Sequence, residues 1–275
     1  MRRAPLLSAL LLGACMGPND ETLVVELRVM AMVAEPPEVA PGAMTTITVH
    51  VADPLDEAPE VLFWTCADLG DGCLEASEPG LGATVAAPVD NRISTTRMAP
   101  PPFAGIVGDG TTVIPVPSYA LACAPDLCPP VEYAKAAPEP GTAAADELSA
   151  FLEDPFTGLK DLPLTGTSLA FSLLSVSTRA APVVNPVVTA ASEDPVTVAP
   201  GGSVDLTFNV TSDDVTTAYG YTTAGGFDAT EYAVEDGAVT LTWFGSEEAA
   251  DATIWVVVNG EEGGSAVWTA AATVE

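Results

Sequence analysis

The feature that most constrains this fold is a segment that occurs twice. Pro37-Glu38-Val39-Ala40-Pro41-Gly42-Ala43 leads into residues 45–51, where Ile47, Val49 and Val51 alternate with polar positions. Pro195-Val196-Thr197-Val198-Ala199-Pro200-Gly201-Gly202-Ser203 leads into Val204, Leu206, Phe208 and Val210 on the same period. Strict alternation marks a half-buried strand, and a Pro-Gly pair marks the tight turn before it. Two copies of turn plus strand make an internal repeat. Val, Thr and Ala dominate elsewhere, spaced by Pro and Gly, and long amphipathic helical patterns are nearly absent. The chain therefore reads as all-β, with two tandem β-sandwich domains.

A pass along the chain places the remaining elements. Residues 23–33 form the predicted first strand, with Leu23, Val25, Leu27, Val29, Ala31 and Val33 on one face. Residues 61–66 read as a buried central strand, with Trp64 as the core aromatic. The pattern weakens over 80–102, and Arg97 and Met98 fall in an expected loop. Pro115 and Pro117 interrupt residues 111–121, which predicts an edge strand. Residues 143–152 are the one fair helix candidate. Residues 168–176 close the first unit, and the Pro-flanked stretch 180–185 marks a boundary, giving domains at 22–179 and 180–275. In the second unit, strands are expected around Tyr219 and Tyr221 and over 239–244, 254–258 and 266–274.

This strand spacing, the Val-Ala-Pro-Gly turn and the tandem arrangement resemble bacterial immunoglobulin-like domains. Pro-Pro-Glu-Val-Ala-Pro-Gly, Trp243-Phe244-Gly245 and Gly263-Gly264-Ser265-Ala266-Val267-Trp268 are also similar to segments of uncharacterised myxobacterial-type lipoproteins. The resemblance implies a fold and a cellular address, and no activity.

The N-terminus carries the address. Met1-Arg2-Arg3 is a basic start, residues 4–12 are a short apolar run, and Leu12-Gly13-Ala14 precede Cys15. This is the layout of a secretory signal, too short to span a bilayer, which takes about 20 apolar residues. A cysteine directly after Leu-Gly-Ala resembles the lipobox of bacterial lipoproteins. The resemblance implies a signal peptide over 1–14, a lipidated Cys15 carrying acyl chains such as palmitate, and a tether over 15–21. That tether reaches at most about 20 Å. Met16 rather than Asp follows Cys15, which favours the outer membrane.

Charge and cysteines narrow the partners. The formal net charge is −30, and loss of Arg2 and Arg3 with the signal makes it more negative still. No Lys or Arg follows Arg179. Such a field disfavours nucleic acid and anionic lipid. Cys66, Cys73, Cys123 and Cys128 imply two disulfides in an exported protein. Local pairs, Cys66–Cys73 and Cys123–Cys128, are favoured among three connectivities. A zinc site is the alternative, against which stand the lack of a C-x-x-C spacing and a single histidine.

That histidine, His50, is predicted to face solvent or a loop, opposite Ile47, Val49 and Val51. No nucleophile elbow, metalloprotease, phosphate-loop or dinucleotide signature is present. Calcium is the one open cofactor, through acidic turns at Asp53 and Asp56, at Asp68 and Asp71, and at Asp194 facing Asp213. None of these has EF-hand spacing. Trp64, Trp243, Trp255 and Trp268 are expected to pack inside or at sheet edges rather than form a sugar platform. The functional expectation is a lipid-anchored, non-enzymatic interaction or adhesion module whose partner is an envelope protein or polysaccharide. The alternatives are an envelope hydrolase using acidic residues and a purely structural stalk.

Overall fold

The computed structural model describes residues 20–66, 83–98, 113–163, 165–191, 196–212, 214 and 216–275. The first sandwich contains β1 (Arg28–Glu35), β2 (Glu38–Val39), β3 (Met44–Ala52), β4 (Glu60–Thr65), β5 (Thr84–Ala86), β6 (Arg92–Met98), β7 (Val113–Cys123) and β8 (Thr167–Ser177). One sheet has the order β1-β3-β6 and the other β2-β8-β7-β4-β5. The second sandwich contains β9 (Val187–Ala190), β10 (Val196–Val198), β11 (Ser203–Thr211), β12 (Thr216–Thr222), β13 (Gly226–Phe227), β14 (Tyr232–Ala233), β15 (Ala238–Phe244), β16 (Ala250–Gly260) and β17 (Ser265–Val274). Its sheets run β13-β15-β11-β9 and β10-β17-β16-β12-β14.

The sequence repeat becomes a structural one. In each unit the short strand before Ala-Pro-Gly, β2 or β10, pairs in parallel with the last strand of its own sandwich, β8 or β17. The chain then turns and enters β3 or β11 in the opposite sheet. Ala43 N–H donates to Ala40 O at 2.9 Å, and Gly202 N–H to Ala199 O at 2.8 Å. Gly42 and Gly201 sit at φ of 77° and 65°. Proline followed by a left-handed glycine is what a type II turn requires. The turn thus carries the chain from one sheet to the other, an immunoglobulin-like arrangement in both units.

Alternation decides the two cores. Ile47, Val49 and Val51 of β3 meet Val61 and Phe63 of β4, Val116 and Ala120 of β7, and Leu174 and Val176 of β8. In the second unit Leu206, Phe208 and Val210 meet Leu241, Trp243, Ile254, Val256 and Val258. Trp243 is fully buried and its indole donates to Ala224 O at 3.2 Å.

Several expectations change. The core aromatic of β4 is Phe63; Trp64, one residue on, is buried on the outer face of the sheet. A one-residue step in a strand switches faces. The cover is helical: α1 (Pro129–Ala136), α2 (Ala143–Glu153) and α3 (Pro155–Gly158) lie between β7 and β8. Val131, Phe151 and Leu162 from this insertion pack on Leu62, Trp64 and Leu121, and Trp64 Nε1 donates to Leu152 O at 3.2 Å. Only α2 was expected. Thr142 caps it, accepting from Ala145 N–H at 3.3 Å. α1 is disguised by its opening prolines, which are tolerated in a first turn.

The first strand begins later than expected, at Arg28. Register shifts between Val29 and Ala31. Beyond this bulge Met32 and Ala34 enter the core, while Val25 is exposed. β7 is not an edge strand, for it lies between β8 and β4. Its prolines are tolerated because β4 pairs only with residues 118–123, beyond Pro115 and Pro117. Arg97 belongs to β6 rather than a loop and is buried. Its Nη2 donates to Phe63 O at 3.1 Å and Thr84 Oγ1 at 2.7 Å, with the guanidinium over the Phe63 ring. Burial holds its pKa down to about 10.

Candidate functional site

Two places stand out, an exposed aromatic face on the first sandwich and the junction between the sandwiches.

The aromatic face grows outward from Trp64. Tyr119 of β7 stacks on Trp64 with ring centroids 5.1 Å apart. Phe171, paired with Tyr119 across β7 and β8, lies 6.4 Å from it. Phe156 of α3 meets Phe171 edge-on at 5.9 Å and Tyr119 at 6.2 Å. Phe156 and Phe171 are 52% and 57% exposed, and Leu173 on the same face of β8 is exposed too. Burial, and then Asp154, push the Tyr119 hydroxyl's pKa up. The insertion is fixed from below: a Cβ at Gly158 would lie 2.4 Å from the Phe151 ring, so only glycine lets that turn close over Phe151. The signal for this face was legible: β8 reads Leu169, Phe171, Leu173 on one side and Ala170, Leu174, Val176 on the other, except at Ser172. Such a strand is apolar on both faces, and here the insertion covers only part of the outer one.

The junction is held by three sets of contacts. Leu23 bridges Thr222, Val24 N–H donates to Thr222 O at 2.8 Å, and Phe227 N–H donates to Thr22 Oγ1 at 2.9 Å. The stretch before β1 is thus paired with the second sandwich, and Arg28 lies over the Tyr221 ring. Val24, Met30 and Ala52 from the first unit bury Trp255 from the second. The linker supplies the rest. Glu38, 3% exposed, accepts from Arg179 Nε at 2.9 Å, Arg179 Nη2, Ser177 Oγ and Val183 N–H at 2.8 Å. Arg179 Nη1 reaches Glu262 at 3.2 Å. Asn185 Nδ2 donates to Ala34 O and Glu35, and its Oδ1 accepts from Ser265 N–H at 2.9 Å. Burial alone would raise the Glu38 pKa; the donors from Arg179, Ser177 and Val183 outweigh it and hold it near 2.

Beside this contact lies a cavity of about 290 Å³. From the first unit it is lined by His50 of β3 and by Asp90, Asn91 and Arg92 of the hairpin into β6. From the second come Trp255, Val267 and Thr269. His50 therefore faces the Asp90-Asn91 turn, as one of the two alternatives has it, and also the second sandwich. It is half-buried at the junction, and burial, then Arg92, hold its pKa near 4, so it is neutral at pH 7. Asp90 and Asn91 occupy left-handed φ of 51° and 59°, the geometry of a two-residue hairpin turn. Val89 and Arg92 exchange backbone hydrogen bonds around them, and Val51 N–H donates to Asn91 O at 2.8 Å.

The other expected residues distribute as follows. Cys123 and Cys128 form a disulfide that enters α1. Cys66 is also disulfide-bonded. Cys15, Cys73, Asp68, Asp71, Asp194 and Asp213 lie outside the described residues. Asp53 accepts from Glu57 and Ala58 N–H at 3.0 and 3.1 Å, so this acidic turn is closed by its own backbone; Asp56 is exposed beside it. Among the described residues no group of three or more His, Cys, Asp or Glu side chains is placed to hold a metal ion, and no helix is long and apolar enough to cross a membrane. Trp268 is partly buried and meets Phe208 edge-on at 4.8 Å.

No family model matches the chain, and no curated protein matches it. Among solved structures it is similar to tandem Ig repeats of Dlar, at 15% identity over 91% of this chain and 94% of that one, with a TM-score of 0.27. It is similar to the D0-D1 domain of intimin, at 10% identity over 90% and 97%, with a TM-score of 0.24. The Yersinia pseudotuberculosis adhesin InvE matches at 11% identity over 94% of this chain and 61% of that one, with a TM-score of 0.24. At these scores the likenesses carry no functional argument, and the immunoglobulin-like fold rests on the strand order above.

Proposed function

We propose that this chain is a lipid-anchored, non-enzymatic interaction module of the cell envelope. In this reading Cys15 is acylated at the outer membrane, and the first sandwich docks an envelope protein or polysaccharide. The observation that carries the reading is the pair of touching, half-exposed phenylalanines, Phe156 and Phe171, continued by Tyr119 and Leu173. Single exposed apolar residues are ordinary, whereas a contiguous aromatic patch marks a contact surface. It is preorganised, because Tyr119 stacks on a buried tryptophan and the sheet fixes Phe171. Preorganised rings lose little conformational freedom on binding. The junction supports the same reading, since the two sandwiches meet through an apolar cluster and through the Arg179–Glu262 ion pair.

The test is retention of the purified protein on isolated cell-envelope fractions, before and after protease or polysaccharide-degrading treatment. Phe156→Ser with Phe171→Ser should lose retention while the circular dichroism spectrum stays unchanged. Undiminished retention of that double variant refutes the assignment of the face.

A further inference from the structure

We propose that the cavity at the junction of the two sandwiches is a binding site for a single sugar ring. It is separate from the aromatic face and does not depend on the role given to that face. The case begins with what the lining leaves unused. Arg28 is over Tyr221, Arg97 is buried against Phe63 and Thr84, and Arg179 holds Glu38 and Glu262. Arg92 and Asp90 are different: both are exposed residues that line the cavity, and among the described residues neither side chain makes a hydrogen bond or ion pair. Trp255 is 4% exposed, lines the cavity, and has no acceptor for its indole N–H among the described residues. Trp64 and Trp243 donate theirs to backbone carbonyls, whereas the Trp255 indole N–H is not among the buried unpartnered atoms and so is reached by solvent.

The unused groups point to one ligand chemistry. Arg92 and the indole only donate; the Asp90 carboxylate only accepts. His50, neutral here, does one at each nitrogen, and Thr269 does both at one oxygen. A simple anion would suit Arg92 but meet Asp90, and a simple cation would meet the reverse conflict. Neutral hydroxyls both donate and accept, so a polyhydroxylated ring satisfies all five at once. Val267, with the small exposed part of Trp255, supplies the apolar wall that the C–H face of such a ring needs. About 290 Å³ lies at the small end of ligand pockets, which run from about 300 Å³ upward. That favours one ring or a chain end over an oligosaccharide. The backbone that carries Asp90 and Arg92 is held in place, because the Asp90-Asn91 turn is pinned by backbone hydrogen bonds to β3 and across its own hairpin.

Saturation-transfer NMR on the full chain tests this with glucose, galactose and N-acetylglucosamine as probes, and with acetate and alanine as anionic and zwitterionic controls. At least one sugar should give a saturable signal that exceeds both controls. Asp90→Asn with Arg92→Gln, folded by circular dichroism, should weaken that sugar by about tenfold or more, because each charged hydrogen bond lost costs about 1.5–3 kcal/mol. Phe156→Ser with Phe171→Ser should leave it unchanged. The proposal is overturned if none of the three sugars saturates, if acetate or alanine binds as well as they do, if the Asp90/Arg92 variant binds like the parent, or if the aromatic-face variant loses the sugar.

Discussion

Glu38→Gln should be the most damaging single polar substitution at the junction. Glu38 sits in the short strand of the first repeat, at the foot of the linker, and is 3% exposed. Its carboxylate receives four donors, two of them from Arg179. Gln keeps the shape but removes the charge and replaces one acceptor oxygen by a donor. A carboxyl held near 2 instead of 4.5 is stabilised by about 3 kcal/mol, taking about 1.4 kcal/mol per pKa unit. The cost of breaking a buried pair, about 3–5 kcal/mol, agrees. For a sandwich of this length that is a fall in Tm of about 10 °C. The pH dependence has a definite sign. A depressed folded pKa gives stability that is present above pH 4.5 and lost as pH falls toward 2. Urea titrations at pH 7 and across that acid window measure both. A loss below about 1 kcal/mol at pH 7, or an acid slope equally steep in the variant, would show that Glu38 is not the buried anion described here.

His50 adds to acid sensitivity in a higher window. Its folded pKa near 4 lies below the ordinary 6.5, so the unfolded chain takes up the proton first and stability falls as pH drops from 6.5 toward 4; His50→Gln should flatten that part of the profile. Reducing Cys123–Cys128, which closes a short loop at a separation of 5 residues, should cost about 2 kcal/mol at most, with amide exchange rising first in α1 and α2. The second sandwich has no Lys or Arg beyond Arg179, and moderate NaCl, which screens over about 8 Å, should raise its melting temperature; a flat response would show that its acids are too widely spaced to repel. Cys15→Ser should move the protein from membrane to soluble fractions if acylation is its anchor.

The repeat was legible in the sequence because Pro41-Gly42 and Pro200-Gly201 specify a turn chemically, whatever surrounds them. Strands such as β3 and β11 were legible because alternation is a local property. What escaped depends on neighbours. Phe63 and Trp64 are equally apolar, and only the presence of a helical layer on the outer face decides that both are buried. The bulge after Val29 reverses the parity of β1 without any mark in its run of apolar residues. The prolines of β7 suggested an edge because the length of β4 could not be known. The junction was hidden for the same reason. Val24, Met30 and Trp255 look like ordinary core residues, although they are core between domains. His50 was placed on the correct side of β3, away from Ile47, Val49 and Val51, but that side faces Trp255 across the cavity as well as water. Of the acidic turns, only the one at Asp53 and Asp56 lies within the described residues, and backbone donors occupy Asp53.

On the proposed reading, the aromatic face of the first sandwich is where this protein meets its partner. A photo-crosslinking residue placed at Phe171 in intact cells tests it most directly, with the same residue at exposed Asn209 of the second sandwich as the reference. A discrete crosslinked species should arise from position 171, be absent from position 209 and disappear when Phe156 is changed to Ser. Equal crosslinking from both positions, or none from position 171, would contradict it.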